Sequence, residues 1–287
     1  MISAAKREDI SGALRRGTVP GSGLDTFAVG VDAVAPVIDE ELERVAAGRG
    51  AFKAVRGEYG SGKTFFGRWF QERARSRGFA ASEVQINETE TPLHKLETVY
   101  RRLVERLGTA DAANGAFRSV IDGWFFALEQ DVLAEGVDAD DESALLARTD
   151  ALMEARLATI SKAAPAFSAV LRAYRQAVAR GDGSLADGLI SWLAGQPNVA
   201  ASVKWAAGIK GDLDHFGAAN FLAGLLVILR DSGYAGLVLV LDEVETLQRM
   251  RADTRERGSN ALRQWIDAID AGRYPGPYLL ITGPPAF

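Results

Sequence analysis

The chain contains no cysteine and only two histidines, His94 and His215. The first absence excludes a disulfide framework, thiol catalysis and cysteine-ligated metal. The second leaves too few imidazoles for a multi-histidine zinc site. Positive charge is not in excess: 33 Lys and Arg stand against 38 Asp and Glu, a net charge of −5. A protein that coats nucleic acid through bulk charge does not have this balance, which still leaves room for a local basic patch. Long apolar runs are missing too. The longest, Phe216 to Leu229, is closed by Arg230 and Asp231 and is too short to span a bilayer. Lys6, Arg7, Arg15 and Arg16 mark the N-terminus with no apolar stretch behind them, so no secretory signal is expected. The expected location is cytoplasmic, with no membrane contact. What is present is a chain of 287 residues, 47% apolar, which can bury enough surface to offset its chain entropy.

Apolar spacing lays out the elements. A short helix is expected around Ile10 and Leu14, followed by a turn-rich stretch from Gly17 to Gly23. Pro36 opens a helix with Ile38, Leu42 and Val45 on one face. Ala51 to Arg56 reads as a buried strand, and Phe65 to Arg77 as a helix stopped by Gly78. Glu83 to Asn87 reads as a second strand with Val84 and Ile86 inward. Thr91-Pro92 has the form of a helix start, and Leu96, Val99, Tyr100, Leu103, Val104 and Leu107 then recur with a helical period. The pattern stays helical to about residue 232, with breaks expected at Gly181 to Gly183 and at Gln196-Pro197-Asn198. Phe167, Val170, Leu171, Tyr174 and Val178 form one stripe there, and Trp124, Trp192 and Trp205 read as core. Leu237 to Leu241 alternates only Leu and Val, the pattern of a strand buried on both faces of a parallel sheet. Asn260 to Asp270 reads as a helix, and Tyr278 to Ile281 as a fourth strand ending in Thr282-Gly283.

The strongest chemical signal is Gly57-Glu58-Tyr59-Gly60-Ser61-Gly62-Lys63-Thr64, between a strand and a helix. It has the P-loop pattern. Polyphosphate is a concentrated anion, and glycines let successive backbone N–H groups turn toward it. The helix that follows, beginning near Phe65, adds its free N–H groups and the positive end of its dipole. Lys63 would place a point charge on the β- and γ-phosphates, and the Thr64 hydroxyl would ligate Mg²⁺. Asp242-Glu243 closes the Leu-Val strand, where Asp242 would hold Mg²⁺ and Glu243 would activate water. Thr282, at the end of the fourth strand, is either a polar sensor of the γ-phosphate or a turn residue. Val29 and Gly30 would cradle adenine, or else pack in the core. Asn87, Glu88 and Glu90 follow the second strand and read mainly as solvated loop residues. Arg249, Arg251, Arg255 and Arg257, interleaved with Asp253 and Glu256, form a solvated face or a patch toward DNA or a neighbour. His94 and His215 read as structural.

Thr64 and Asp242 stand far apart in the sequence, much farther than one crossover requires. The expectation is an α/β core with a mainly parallel sheet and a large helical insertion between the second strand and the Asp242 strand. Its segments are 1–50, an N-terminal helical part with the adenine-side loop; 51–92, the P-loop half; 93–232, the insertion; and 233–287, the half with Asp242 and Thr282.

The P-loop, the Leu-Val-Leu-Val-Leu-Asp-Glu strand and the Ile-Thr-Gly strand resemble an AAA+ ATPase near the origin-recognition branch. More narrowly, Arg15-Arg16-Gly17-Thr18-Val19-Pro20, Phe27-Ala28-Val29-Gly30, Phe52 to Gly60, Glu88 to His94 and Leu241 to Glu245 are similar to the BrxD family, the ATP-binding proteins of BREX phage-resistance systems. This resemblance implies ATP and Mg²⁺ as cofactors and an ATPase that works in antiviral defence on or near DNA. Copies of itself or other defence proteins would be its partners. It makes Lys63 and Thr64 the Walker A pair, Asp242 and Glu243 the Walker B pair, and Thr282 sensor 1. An AAA+ module continues beyond a fourth strand into a lid that carries the arginine finger and sensor 2 arginine, so weak turnover is expected of a chain ending at Phe287. The alternative is a nucleotide-controlled DNA- or protein-binding switch with little hydrolysis. A small-molecule phosphotransferase is a third option that Asp242-Glu243 disfavours, since paired acids suit water as acceptor.

Overall fold

The computed structural model describes residues 3–285. Residues 1–2 and 286–287 lie outside the described residues, among them Phe287 at the end of the expected last segment. In chain order the elements begin with α1 (Ala4–Arg15), α2 (Ala35–Ala46), β1 (Ala51–Arg56), α3 (Lys63–Arg75) and β2 (Ala80–Gln85). A helical series follows: α4 (Leu96–Glu105), α5 (Phe117–Ala134), α6 (Glu142–Arg156), α7 (Ala158–Ala163), α8 (Pro165–Ala179), α9 (Gly183–Leu193), α10 (Ala201–Ala206) and α11 (His215–Asp231). β3 (Leu237–Asp242), α12 (Thr246–Arg249), α13 (Ala252–Asp270) and β4 (Pro277–Gly283) complete the chain. Contacts divide it into two compact units. One comprises Met1–His94, Arg106–Gly115 and Tyr234–Phe287; the other comprises Lys95–Glu105 and Ala116–Gly233.

The first unit holds a four-stranded, all-parallel sheet in the order β1-β4-β3-β2. β3 and β4 are central, and every residue of both is buried. That accounts for the unbroken Leu-Val run, because a central strand of a covered parallel sheet has no polar face. Each of these side chains contributes about 1.5–3 kcal/mol by leaving water. The register pairs Val55 with Thr282, Arg56 with Gly283, Leu241 with Ile281 and Gln85 with Asp242. The carboxyl ends of all four strands therefore meet along one edge, the usual ligand edge of such sheets.

α2 and α3 cover this sheet through Ile38, Leu42, Val45, Trp69 and Phe70, all buried together with Val238, Val240, Tyr278 and Leu280. Phe70 packs on Tyr278 with ring centroids 4.7 Å apart. The two helices are pinned by Asp39, which accepts from Arg73 at 2.6 Å and pairs with Arg77 at 2.7 Å. The guanidiniums hold the Asp39 carboxyl below its usual range, mainly through the Arg73 hydrogen bond.

The second unit is helical. α4 buries Leu96, Val99, Tyr100, Leu103 and Val104, the face its spacing predicts. Its aromatic centre sets Phe221 of α11 against Tyr100, Trp192 and Phe167, at centroid separations of 6.0, 5.5 and 5.0 Å. Trp124 is fully buried, and its indole N–H donates to Asp231 at 2.7 Å. His215 Nδ1 accepts from the backbone N–H of Leu96 at 3.4 Å, a structural use of that imidazole.

Several boundaries and burials differ from the sequence expectation. β2 starts at Ala80, not Glu83, and ends before Ile86 and Asn87. Ala80, Ala81 and Ser82 have weak strand propensity but are wholly buried, and Ala81 bridges to Gly108. The helix after β2 begins at Leu96 rather than at Pro92. Thr91 is committed instead to the preceding loop, where Asn87 Oδ1 accepts from the N–H groups of Thr89, Glu90 and Thr91 at 3.1, 2.6 and 3.2 Å. α13 begins at Ala252, eight residues before the expected Asn260, because the arginine-rich stretch is itself helical. Trp205 and Val178 are not core: they are 84% and 53% exposed. Trp205 sits on the short helix α10, none of whose residues is buried.

Candidate nucleotide site

The site forms where β1 runs into α3. The chain must pass from the sheet edge to a helix N-terminus within Gly57 to Gly62, and two glycines make this feasible. A Cβ on Gly57 would lie 2.3 Å from Ser61 Oγ and 3.2 Å from Ser61 Cβ, so the loop packs this closely with the Ser61 side chain turned inward because position 57 has no side chain. Gly62 caps α3 in the left-handed region, at φ 91°, which a residue with a side chain adopts only at a cost. The Gly57 N–H is tied to the sheet by donation to the Gly283 carbonyl at 3.1 Å.

Lys63 and Thr64 are the first two residues of α3. The Lys63 ammonium donates to the carbonyls of Gly57 at 2.9 Å and Glu58 at 3.0 Å. It is thus held over the loop, and no carboxylate neutralises it among the described residues. The Thr64 hydroxyl donates to Asp242 Oδ2 at 3.0 Å, bringing together residues 178 positions apart. Asp242 Oδ1 accepts from the backbone N–H of Glu243 at 3.0 Å and from the Thr282 hydroxyl. A buried carboxylate, 7% exposed, is therefore satisfied by three donors from three segments. Glu243 adopts φ 58°, one of two non-glycine residues in the left-handed region among the described residues, and its side chain points to solvent. Strain of this kind, of order 1–3 kcal/mol, concentrates at functional sites.

Of the remaining expected site residues, Glu58, Tyr59, Gly60 and Ser61 are exposed along the loop, with Tyr59 wholly so. Val29 and Gly30 line a cavity of about 400 Å³ together with Ser61, Gly62 and Phe65. Val29 is 92% exposed, which rules out the alternative that it packs in the core. Phe27 also lines this cavity, with its ring 5.5 Å from that of Phe65. Sequence spacing gives no signal for Phe27, which sits in a turn after the short 3-10 helix at Leu24–Thr26, its N–H donating to the Leu24 carbonyl at 3.3 Å. Thr282 is fully buried with its hydroxyl directed at Asp242, a partner that no sequence pattern specifies. Asn87 is committed to its own loop, and Glu88 and Glu90 are exposed. Among the other arginines, Arg257 pairs with Asp253 at 3.0 Å on an exposed face of α13.

The geometry fits a polyphosphate chain with a divalent cation: a loop that excludes a Cβ, an ammonium with a third donor to offer, and a hydroxyl beside a carboxylate. The parallel sheet with this loop at its carboxyl edge is that of a P-loop NTPase-like fold. A family model described as BREX system ATP-binding protein BrxC/D matches residues 2–287, and the chain belongs to that family of ATP-binding BREX proteins. No curated protein and no solved structure matches the chain. Among the described residues, no helix is long and apolar enough to cross a membrane.

Proposed function

We propose that the chain is an AAA+-type ATPase of a BREX phage-defence system, acting on or near DNA with partner proteins or with further copies of itself. The observation that carries this reading is the Thr64 hydroxyl within 3.0 Å of the Asp242 carboxylate, beside a glycine loop of the kind that suits anions. In this reading Gly57 to Thr64 is the Walker A loop and Asp242-Glu243 the Walker B pair. Mg²⁺, when bound, supplies charge neutralisation on the β- and γ-phosphates. Thr64 and Asp242 hold it, and Lys63 leaves its loop carbonyls to meet the phosphates. Phe27, Val29, Gly30 and Phe65 take the adenine ring by apolar and backbone contact.

Glu243 has the role of general base. Its carboxylate is exposed and has no hydrogen-bond partner among the described residues, and its left-handed backbone sets it apart from Asp242. It therefore accepts a proton from water, while Asp242, saturated by three donors, stays a ligand. Thr282 acts as a positioning residue through Asp242, which joins the chemistry of the expected sensor strand to the cation site. Segments 51–92 and 233–287 form the nucleotide core in this reading, with residues 93–232 a helical insertion available for partners.

The test is Glu243→Gln with ATP binding and phosphate release measured side by side. Binding is expected to persist and turnover to fall by at least about a hundredfold. Equal turnover in the variant and the parent refutes the assignment of the base. Binding without turnover in both refutes hydrolysis and favours a nucleotide-controlled switch.

A further inference from the structure

A second concentration of positive charge lies at the far end of α3 from the 57–64 loop. Arg68, Gln71 and Arg75 fall at i, i+3 and i+7 and so share one helix face. β2 contributes Glu83, and the segment after α4 contributes Arg106 and Asn114. Together they line a cavity of about 270 Å³. Glu83 is its one carboxylate, and it is already engaged. Gln71 Nε2 donates to it at 3.0 Å and Arg68 Nε at 3.4 Å. The guanidiniums of Arg75 and Arg106 have no hydrogen-bond or ion-pair partner among the described residues. Arg106 is exposed and solvated, but Arg75 is partly withdrawn from water. Burial holds its guanidinium below its ordinary range, opposed only by the charge of Glu72. That carboxylate is itself occupied by the N–H groups of Gly23 and Leu24, at 2.6 and 2.7 Å.

Three guanidiniums against one carboxylate leave the lining two charges positive. The carbonyl end of α3 offsets this by only roughly half an elementary charge. A partly desolvated cation with no acceptor is unfavourable unless an anion completes it. Guanidinium forks match phosphate oxygens in pairs, and the Asn114 amide adds a further donor.

We infer that this cavity, lined by Arg68, Arg75, Arg106 and Asn114, is a phosphate-binding site separate from the 57–64 loop. α3 thus carries a second anion site along its C-terminal half, whose lining residues 68 to 75 lie about 8–18 Å along the axis from Lys63. The phosphate is either free or part of a nucleic-acid backbone, and the two sources share this recognition chemistry. The inference does not rest on the ATPase reading, because none of these residues belongs to the loop or to the Asp242 cluster.

The experiment compares the full chain carrying Lys63→Ala, which removes the loop's own pull on anions, with the same chain carrying Arg75→Gln and Arg106→Gln. Inorganic phosphate is titrated calorimetrically, and a short fluorescent single-stranded oligonucleotide by anisotropy. At least one probe is expected to bind the parent and weaken by about tenfold or more in the double variant. Weakening of phosphate alone assigns a free phosphate. Weakening of the oligonucleotide, with a salt slope reduced by roughly 0.7 per lost contact, assigns a nucleic-acid backbone. Arg106→Glu, at an exposed position, decides in the same way should the double variant fold poorly. Unchanged affinity for both probes overturns the inference. ATP affinity measured with Lys63 intact should be the same with and without the arginine changes.

Discussion

Replacing Thr282 by Val removes one hydroxyl while keeping the shape of a side chain that is wholly buried. That hydroxyl donates to Asp242 Oδ1, whose other donors are the Glu243 N–H, and Thr64 Oγ1 on the second oxygen. Val leaves a 7% exposed carboxylate one donor short. Hydrogen bonds to charged groups contribute about 1.5–3 kcal/mol. At about 2–4 °C per kcal/mol for a unit of this size, the melting temperature of the sheet unit should fall by about 3–12 °C. Thr282→Ser is the control. It retains the donor and loses a buried methyl, which costs about 1 kcal/mol. Differential scanning calorimetry should therefore rank the parent above Ser and Ser above Val, although Val fills the site better. Mg²⁺-dependent ATP affinity should follow the same order, because a loosened Asp242 presents its oxygens less well. Val equal to the parent, or milder than Ser, would refute the view that Thr282 acts by positioning Asp242.

Other outcomes follow from the same contacts. Gly57→Ala places a Cβ 2.3 Å from Ser61 Oγ and 3.2 Å from Ser61 Cβ, so the Ser61 side chain must swing aside and the loop shift slightly, and ATP affinity should drop several-fold with little change in melting temperature. Equal affinity would show that the tight closure of the loop is not needed. Gly224→Ala drives a methyl to within 2.5 Å of the Phe167 ring in the helical unit and should cost about 1–3 kcal/mol in urea unfolding without altering ATP binding. Asp39→Asn tests the pin between α2 and α3. The Asp39 carboxyl titrates below its unfolded value, so its stabilisation is complete above that value and is lost as pH falls through the folded one. The stability gap between parent and variant should be constant near neutrality and close below about pH 4; a gap independent of pH would contradict the ion pairs.

The centre of the sheet was legible because β3 is extreme, whereas β1, expected to be buried, is an edge strand whose residues alternate between half-buried and exposed. Leu237 to Leu241 has no polar residue to place on a solvated face, so only a central parallel strand suits it. The 57–64 loop was legible because few backbones other than an anion cradle need that spacing of glycines, Lys and Thr. β2 was misplaced because Ala80 to Ser82 is small and weakly β-forming, and its strand state comes from tertiary burial. The start of α4 was misplaced because Thr91 serves an Asn87 turn, a competition between two local hydrogen-bonding options that spacing alone does not resolve. Trp205 misled because an aromatic in helical sequence reads as core, whereas α10 buries nothing. In the site, the hydroxyl of Thr282 on Asp242, the left-handed Glu243 and the arginine cavity all depend on segments remote in sequence meeting in space. No one-dimensional pattern carries them.

In the proposed function, residues 57–64 and Asp242 form one binding site for a nucleotide with its cation. Calorimetric titration of ATP into the parent, Lys63→Ala and Asp242→Asn, each with and without Mg²⁺, tests it most directly. Binding to the parent that Mg²⁺ strengthens, loss of binding with Lys63→Ala, and loss of the Mg²⁺ enhancement with Asp242→Asn are expected. ATP binding that is equal in all three proteins, or indifferent to Mg²⁺ in the parent, would contradict it.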